Sequence, residues 1–229
     1  MNIHAPLRPI VPIPAITPEQ RARVAAAIAS GEAIAYVGPG LLPLDALVPT
    51  TPESLASHLA RKSPVPGRLR GNVWASAQYI ESHKHHRTLT RLMTEAFAPP
   101  LAPSSLQGSL ARLPVPLIVD VWYDGAQRAA LAATGRTDWG EIQGIKRGAE
   151  FRDIWYKAYD AAGEEVAIAA AEGWTTLLYK PHGAVTPAGN FLVSDSDYVE
   201  VLTEIDLQTP IPAIVQRRRR GRAFVFIGT

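Results

Sequence analysis

The chain contains no cysteine, so disulfides and thiolate metal ligands are excluded. The same lack is in keeping with a reducing cytoplasm, the expected location. No apolar run reaches the roughly eighteen residues that a membrane-spanning helix needs, and no membrane partner is expected. The N-terminus lacks a basic region followed by an apolar core, which argues against a secretory signal. No repeat recurs at a fixed period. A surplus of one charge is also missing: the net charge is +2, from 23 Lys and Arg against 21 Asp and Glu. That balance gives no electrostatic footprint for nucleic acid, and such a partner is not expected. What remains is an ordinary globular composition, 47% hydrophobic and 19% charged. The 229 residues suffice for one large domain, or one domain with an insertion.

Pro6, Pro9, Pro12 and Pro14 make residues 1–16 an extended arm, lying on the surface or on a neighbouring subunit. Thr17-Pro18-Glu19-Gln20 starts a helix with a capping box, and Gly31 ends it. Ala33–Val37 is a short apolar strand closed by Gly38-Pro39-Gly40. Helix, buried strand and glycine turn form the entry to a nucleotide-binding α/β sheet. Gly38 and Gly40 would let backbone amides approach a phosphate; a plain strand-ending turn is the alternative. Thr51-Pro52-Glu53 opens a second helix. Residues 74–97 read as one helix carrying His83, His85 and His86, taken as a solvated face; no metal is expected there.

Pro116–Asp120 reads as a buried strand that ends in Trp122-Tyr123-Asp124 and feeds a helix over 125–133, with Asp124 suited to cap it. Residues 135–175 read as a small insertion module with a hairpin whose arms are Phe151–Tyr159 and Glu164 onward, joined by Asp160-Ala161-Ala162-Gly163. Trp139, Trp155 and Trp174 would be its core. The main domain is then 17–134 plus 176–229. Within it, Leu177–Val185 runs from a strand into Pro181-His182-Gly183. A parallel sheet places its ligand crevice beyond the carboxyl ends of its strands, and His182 falls there. Ser194 and Asp197 match a capping box. Thr209-Pro210 opens a segment ending in the arginines of 217–222, read as a solvated helix end with phosphate binding as the alternative. The last strand is Ala223–Ile227. This exposed end strand and the proline arm suggest self-association or a protein partner.

The order of these motifs resembles the sirtuin-like domain family, most closely its bacterial branch of NAD-consuming or NAD-binding modules. The resemblance spans roughly residues 17–229. It implies a doubly wound, mostly parallel Rossmann-type α/β sheet with a small insertion module and NAD in the crevice. The family's Gly-Ala-Gly-x-Ser turn stands here as Gly38-Pro39-Gly40-Leu41-Leu42. Its Thr-Thr-Asn-Tyr-Asp stands as Asp120-Val121-Trp122-Tyr123-Asp124, with Trp122 in place of the asparagine that orients ribose and water. Its His-Gly is His182-Gly183, its Asp-Tyr is Asp197-Tyr198, and its last strand is Phe224–Gly228. By resemblance, Gly38, Gly40, Trp122, Tyr123, Gly183 and Gly228 bind the cofactor.

Cleaving nicotinamide from ribose needs a base near neutrality, which suits His182, with Asp124 as the nearby acid. Two functions follow. One is an NAD glycohydrolase-type enzyme working through His182. The other is a catalytically degenerate subunit, structural or protein-binding, with or without a nucleotide.

Overall fold

A computed structural model describes residues 16–43, 45–146, 154–204 and 211–229. The proline arm up to residue 15, the hairpin start at Phe151 and the Thr209-Pro210 opening lie outside the described residues.

The Thr17 side chain accepts from Gln20 N–H and the Gln20 side chain answers, so α1 (Pro18–Ala29) starts at the expected capping box. Strand β1 (Ala33–Val37) follows, then three helices: α2 (Pro52–Lys62), α3 (Val73–Lys84) and α4 (His86–Phe97). Helix α5 (Ser105–Arg112), strand β2 (Leu117–Asp120) and helix α6 (Ala126–Ala132) come next. Strands β3 (Trp139–Gly144), β4 (Tyr156–Asp160), β5 (Glu165–Val166) and β6 (Thr176–Lys180) precede a small two-stranded ladder, β7 (Gly183–Ala184) with β8 (Asn190–Phe191). Helices α7 (Asp195–Glu204) and α8 (Ala213–Arg219) lead to β9 (Ala223–Ile227).

Seven strands form one sheet in the order β5-β4-β3-β6-β2-β1-β9. The five from β3 to β9 are parallel; β4 and β5 add an antiparallel edge. Side chains alternate between two cores, as a period of two requires. Ala35, Ile118 and Leu178 face one apolar cluster with residues of α1, α5 and α6. Ile34, Leu117, Val119 and Leu177 face the other, with Ile214 and Val215 of α8. Helices therefore cover both faces, and the Rossmann-type expectation holds.

The described strands within residues 135–175 belong to the main sheet. Strand β3 lies inside the main sheet beside β6, because Trp139–Gln143 pair in register with Thr176–Lys180. Trp139 is fully buried beneath α6, with the Arg128 guanidinium 5.1 Å from its ring centre. Large aromatic side chains served the main core here, which composition alone did not distinguish from a small core. The hairpin exists, as β4 and β5 at the sheet edge.

The element that stands apart is helical. Helices α2, α3 and α4 share a third core, with Leu55, Leu59, Ile80, Leu92 and Met93 buried. Each such side chain contributes about 1.5–3 kcal/mol by its burial. This core also takes in Trp122, Tyr123 and Phe191, so the helices sit over the carboxyl ends of β2 and β6. The single helix expected over 74–97 is two. His85 has φ of 71°, ending α3 and starting α4. His83 stacks on Tyr79 at 4.0 Å, and His86 Nδ1 lies 3.3 Å from Glu81. No described helix is long and apolar enough to cross a membrane.

Candidate functional site

Each sequence-singled residue follows the carboxyl end of a parallel strand. Gly38 and Gly40 follow β1, Trp122, Tyr123 and Asp124 follow β2, His182 and Gly183 follow β6, and Gly228 follows β9. The topology thus brings them to one edge of the sheet. Their local geometry divides them sharply.

The Gly-Pro-Gly turn is closed on its own chain. Gly38 N–H donates to Ile227 O at 3.0 Å and Gly40 N–H to Gly228 O at 2.8 Å. Pro39 has no N–H. Leu41 and Leu42 N–H donate back to Gly38 O and Pro39 O. The turn presents no backbone donor to a phosphate. The glycines have another reason to be there: a Cβ on Gly38 would lie 2.5 Å from Gly228 O, and one on Gly40 3.0 Å from Gly228 Cα. They let β1 and the end of β9 touch backbone to backbone.

The end of β2 is equally occupied. Trp122 is buried, its indole N–H donating to Pro49 O at 2.8 Å and its ring edge-on to Phe97 at 5.9 Å. It serves as a plug between the helical layer and the sheet and has no polar group left for a ligand. Tyr123 is buried too, its hydroxyl donating to Leu192 O at 3.0 Å. Asp124 Oδ1 accepts from Ala126 N–H at 2.7 Å, an Asx turn leading into α6, whose N-cap position is Gly125 rather than Asp124. Asp124 makes no hydrogen bond to His182 among the described residues.

One group that sequence reading passed over sits below them. Lys180 is almost wholly buried, and its ammonium donates to Asp120 Oδ2 and to Asp124 O, both at 2.8 Å. Burial pushes the Asp120 carboxyl up to about 6 against the pull of Lys180. Burial works against the Lys180 charge, but Asp120, Asp124 and Glu141 together hold its pKa above the ordinary value. The signal lay in the alternation: Lys180 shares a strand face with Leu178, in the interior. A second buried pair joins Arg128 of α6 to Glu141 of β3 at 2.8 Å on the same side.

His182 is different. Its Nδ1 lies 3.2 Å from Val121 O. A carbonyl only accepts, so Nδ1 carries the proton and Nε2 keeps a lone pair. Burial lowers its pKa, and Lys180 adds to that, which keeps the ring neutral at neutral pH. The ring meets Tyr198 edge-on at 5.3 Å. Gly183 then turns the chain with φ of 77°, and a Cβ there would lie 2.1 Å from Asn190 O. His182 lines a cavity of about 180 Å³ on the α8 side of the sheet, with Tyr36, Tyr179, Tyr198, Arg219 and Phe224. Asp197 completes the expected cap of α7, its Oδ2 accepting from Ser194 N–H at 2.9 Å while Oδ1 meets the Lys146 ammonium at 2.7 Å.

The arginine run is mostly structural. Arg218 donates to the carbonyls of Pro116 at 2.6 Å and Ala171 at 2.9 Å, and Arg222 to Gly31 O at 2.7 Å. They tie the amino ends of strands together.

The family model of the SIR2-like domain matches residues 116–229. The chain belongs to the sirtuin-like family. The match begins just before β2 and takes in the Trp122–Asp124 segment, His182-Gly183, Asp197-Tyr198 and β9. It does not take in β1, the Gly-Pro-Gly turn or the helices over the carboxyl edge. No curated protein matches the chain. In this sirtuin-like chain the matched half holds His182, a candidate residue that lines a cavity.

Proposed function

We propose that this chain is a sirtuin-like structural or protein-interaction module whose dinucleotide site is closed by its own backbone. The observation that carries the reading is the Gly38–Leu42 turn, where Gly38, Gly40, Leu41 and Leu42 each donate within the chain. SIR2-like domains generally bind NAD. A diphosphate needs backbone or cationic donors, and this turn offers none. The cavity at His182, about 180 Å³, is smaller than the roughly 300 Å³ at which ligand pockets begin. Trp122 stands where the family has asparagine and is bonded to Pro49. The residues here do not fit a bound dinucleotide.

NAD cleavage is the second reading. A neutral His182 with a free Nε2 lone pair on a cavity supports it, since that is the form a general base requires. Incubation with NAD, followed by measurement of nicotinamide release with His182→Ala as control, separates the two. The module reading expects no release above the control, and release lost in the variant would overturn it. A protein-interaction role, with a second copy or another protein, is then sought by sedimentation and affinity measurements on the intact chain.

A further inference from the structure

The cavity lined by His182 has aromatic walls and polar groups that a structural role does not use. Its walls are the rings of Tyr36, Tyr179, Tyr198 and Phe224, with Leu117 and Val119 as the floor on the sheet. Aromatic walls favour a planar partner, by stacking or edge-on contact. Its volume of about 180 Å³ is below that of pockets for drug-sized ligands and suits a small ring.

Two polar groups are available, on Arg219 and on His182. Arg219 lines the cavity, half-buried, and its guanidinium makes no hydrogen bond or ion pair among the described residues. Its neighbours in the arginine run differ, with Arg217 on Glu172 and Arg218 and Arg222 on carbonyls. The charge of Arg219 is felt at Tyr36 and Tyr179, whereas the cation felt at His182 is Lys180. On His182, Nδ1 is taken by Val121 O and Nε2 has no partner among the described residues. A guanidinium left without an anion on an otherwise apolar cavity is matched by a single carboxylate, which it can hold through two parallel hydrogen bonds. The lone pair on His182 is matched by an O–H or N–H.

We infer that the cavity binds a small aromatic monocarboxylate, with Arg219 holding the carboxylate and His182 Nε2 accepting from a donor elsewhere on the ring. The inference rests on the reading that this site takes no dinucleotide.

The test is calorimetric titration of the intact chain with benzoate, 4-hydroxybenzoate, benzyl alcohol and NAD. The expected result is saturable one-to-one binding of benzoate, tighter binding of 4-hydroxybenzoate, and weak or no binding of benzyl alcohol. Arg219→Gln lowers benzoate affinity about ten-fold or more, the loss expected for one hydrogen-bonded charge partner. His182→Ala brings 4-hydroxybenzoate down to the level of benzoate. Val201→Phe, on the cavity wall, abolishes binding while near-ultraviolet circular dichroism stays that of the folded chain. No saturable benzoate binding, or binding equal in wild type and Arg219→Gln, overturns the inference. If benzoate and NAD both fail to bind, this inference falls and the module reading stands. If NAD binds, both fall.

Discussion

Two ends of one sheet edge carry motifs that look alike in the sequence and differ in what they leave free. At β1 and β9, Gly38, Gly40 and Gly228 close on one another, and the turn's backbone donors are taken within the chain. At β6, His182 turns off the strand with Nδ1 held by Val121 O and lines a cavity. A glycine turn binds phosphate only when its N–H groups point outward into space. The lesson is that the motif and the site are separate facts. Glycine spacing records a close approach of backbone, and the partner in that approach is as readily the protein itself as a ligand.

The largest expected effect lies between the two ends, in the buried pair that underpins the β2–β6 edge. Lys180→Met leaves the Asp120 carboxylate buried beside no cation and costs about 3–5 kcal/mol in urea unfolding. Asp120→Leu combined with Lys180→Met recovers most of that loss, because it removes the uncompensated charge as well. Full loss in the double variant would show that the pair sets the strand geometry by some other means.

Trp122→Asn restores the family's residue type and tests whether the plug matters more than the chemistry. Removing a buried indole from between Phe97 and Pro49 costs about 3–5 kcal/mol, and nicotinamide release from NAD stays at background. A stable variant that gains release would erase the contrast between the two ends.

Gly38→Ala strikes the closed end directly. Its Cβ would meet Gly228 O at 2.5 Å, and both atoms belong to backbone that cannot rotate away. The expected cost is about 1–3 kcal/mol by overpacking. An unchanged midpoint would show that the turn is looser than the contact implies.

The smallest effect concerns the open end, through pH. Burial lowers the His182 pKa below 6.5, so the unfolded chain takes up the proton first as pH falls. Stability therefore drops below pH 6.5 until the folded histidine also protonates. Asp120 acts in the opposite sense: its pKa is raised from 3.8 to about 6, and the folded state binds the extra proton in that window. Comparison with His182→Gln isolates the first term. The wild type should lose stability relative to the variant as pH falls, by no more than about 1.4 kcal/mol per pH unit. A parallel pair of curves would mean that His182 is solvated.

Much of the fold was legible because its signals are local. Thr17 with Gln20 and Ser194 with Asp197 are capping pairs that act over three residues. The strands β1, β2, β6 and β9 are short apolar runs with polar ends, and turn signals bound them. The placement of 135–175 was not legible, since Trp139 reads the same whether its core is a small module or the main sheet. Strand β3 joins β6 across thirty-odd residues, a pairing that only the ladder reveals. The break at His85 has no glycine or proline to announce it. The singled-out residues follow the carboxyl ends of parallel strands, but the bonds that close the Gly-Pro-Gly turn run to Ile227 and Gly228, nearly the whole chain away.

Titration of the intact chain with NAD by calorimetry, with nicotinamide followed in the same samples, tests the central claim most directly. The closed turn predicts no saturable heat and no nicotinamide above the His182→Ala control. Saturable NAD binding would contradict it, and release that disappears with His182→Ala would replace the module with an enzyme.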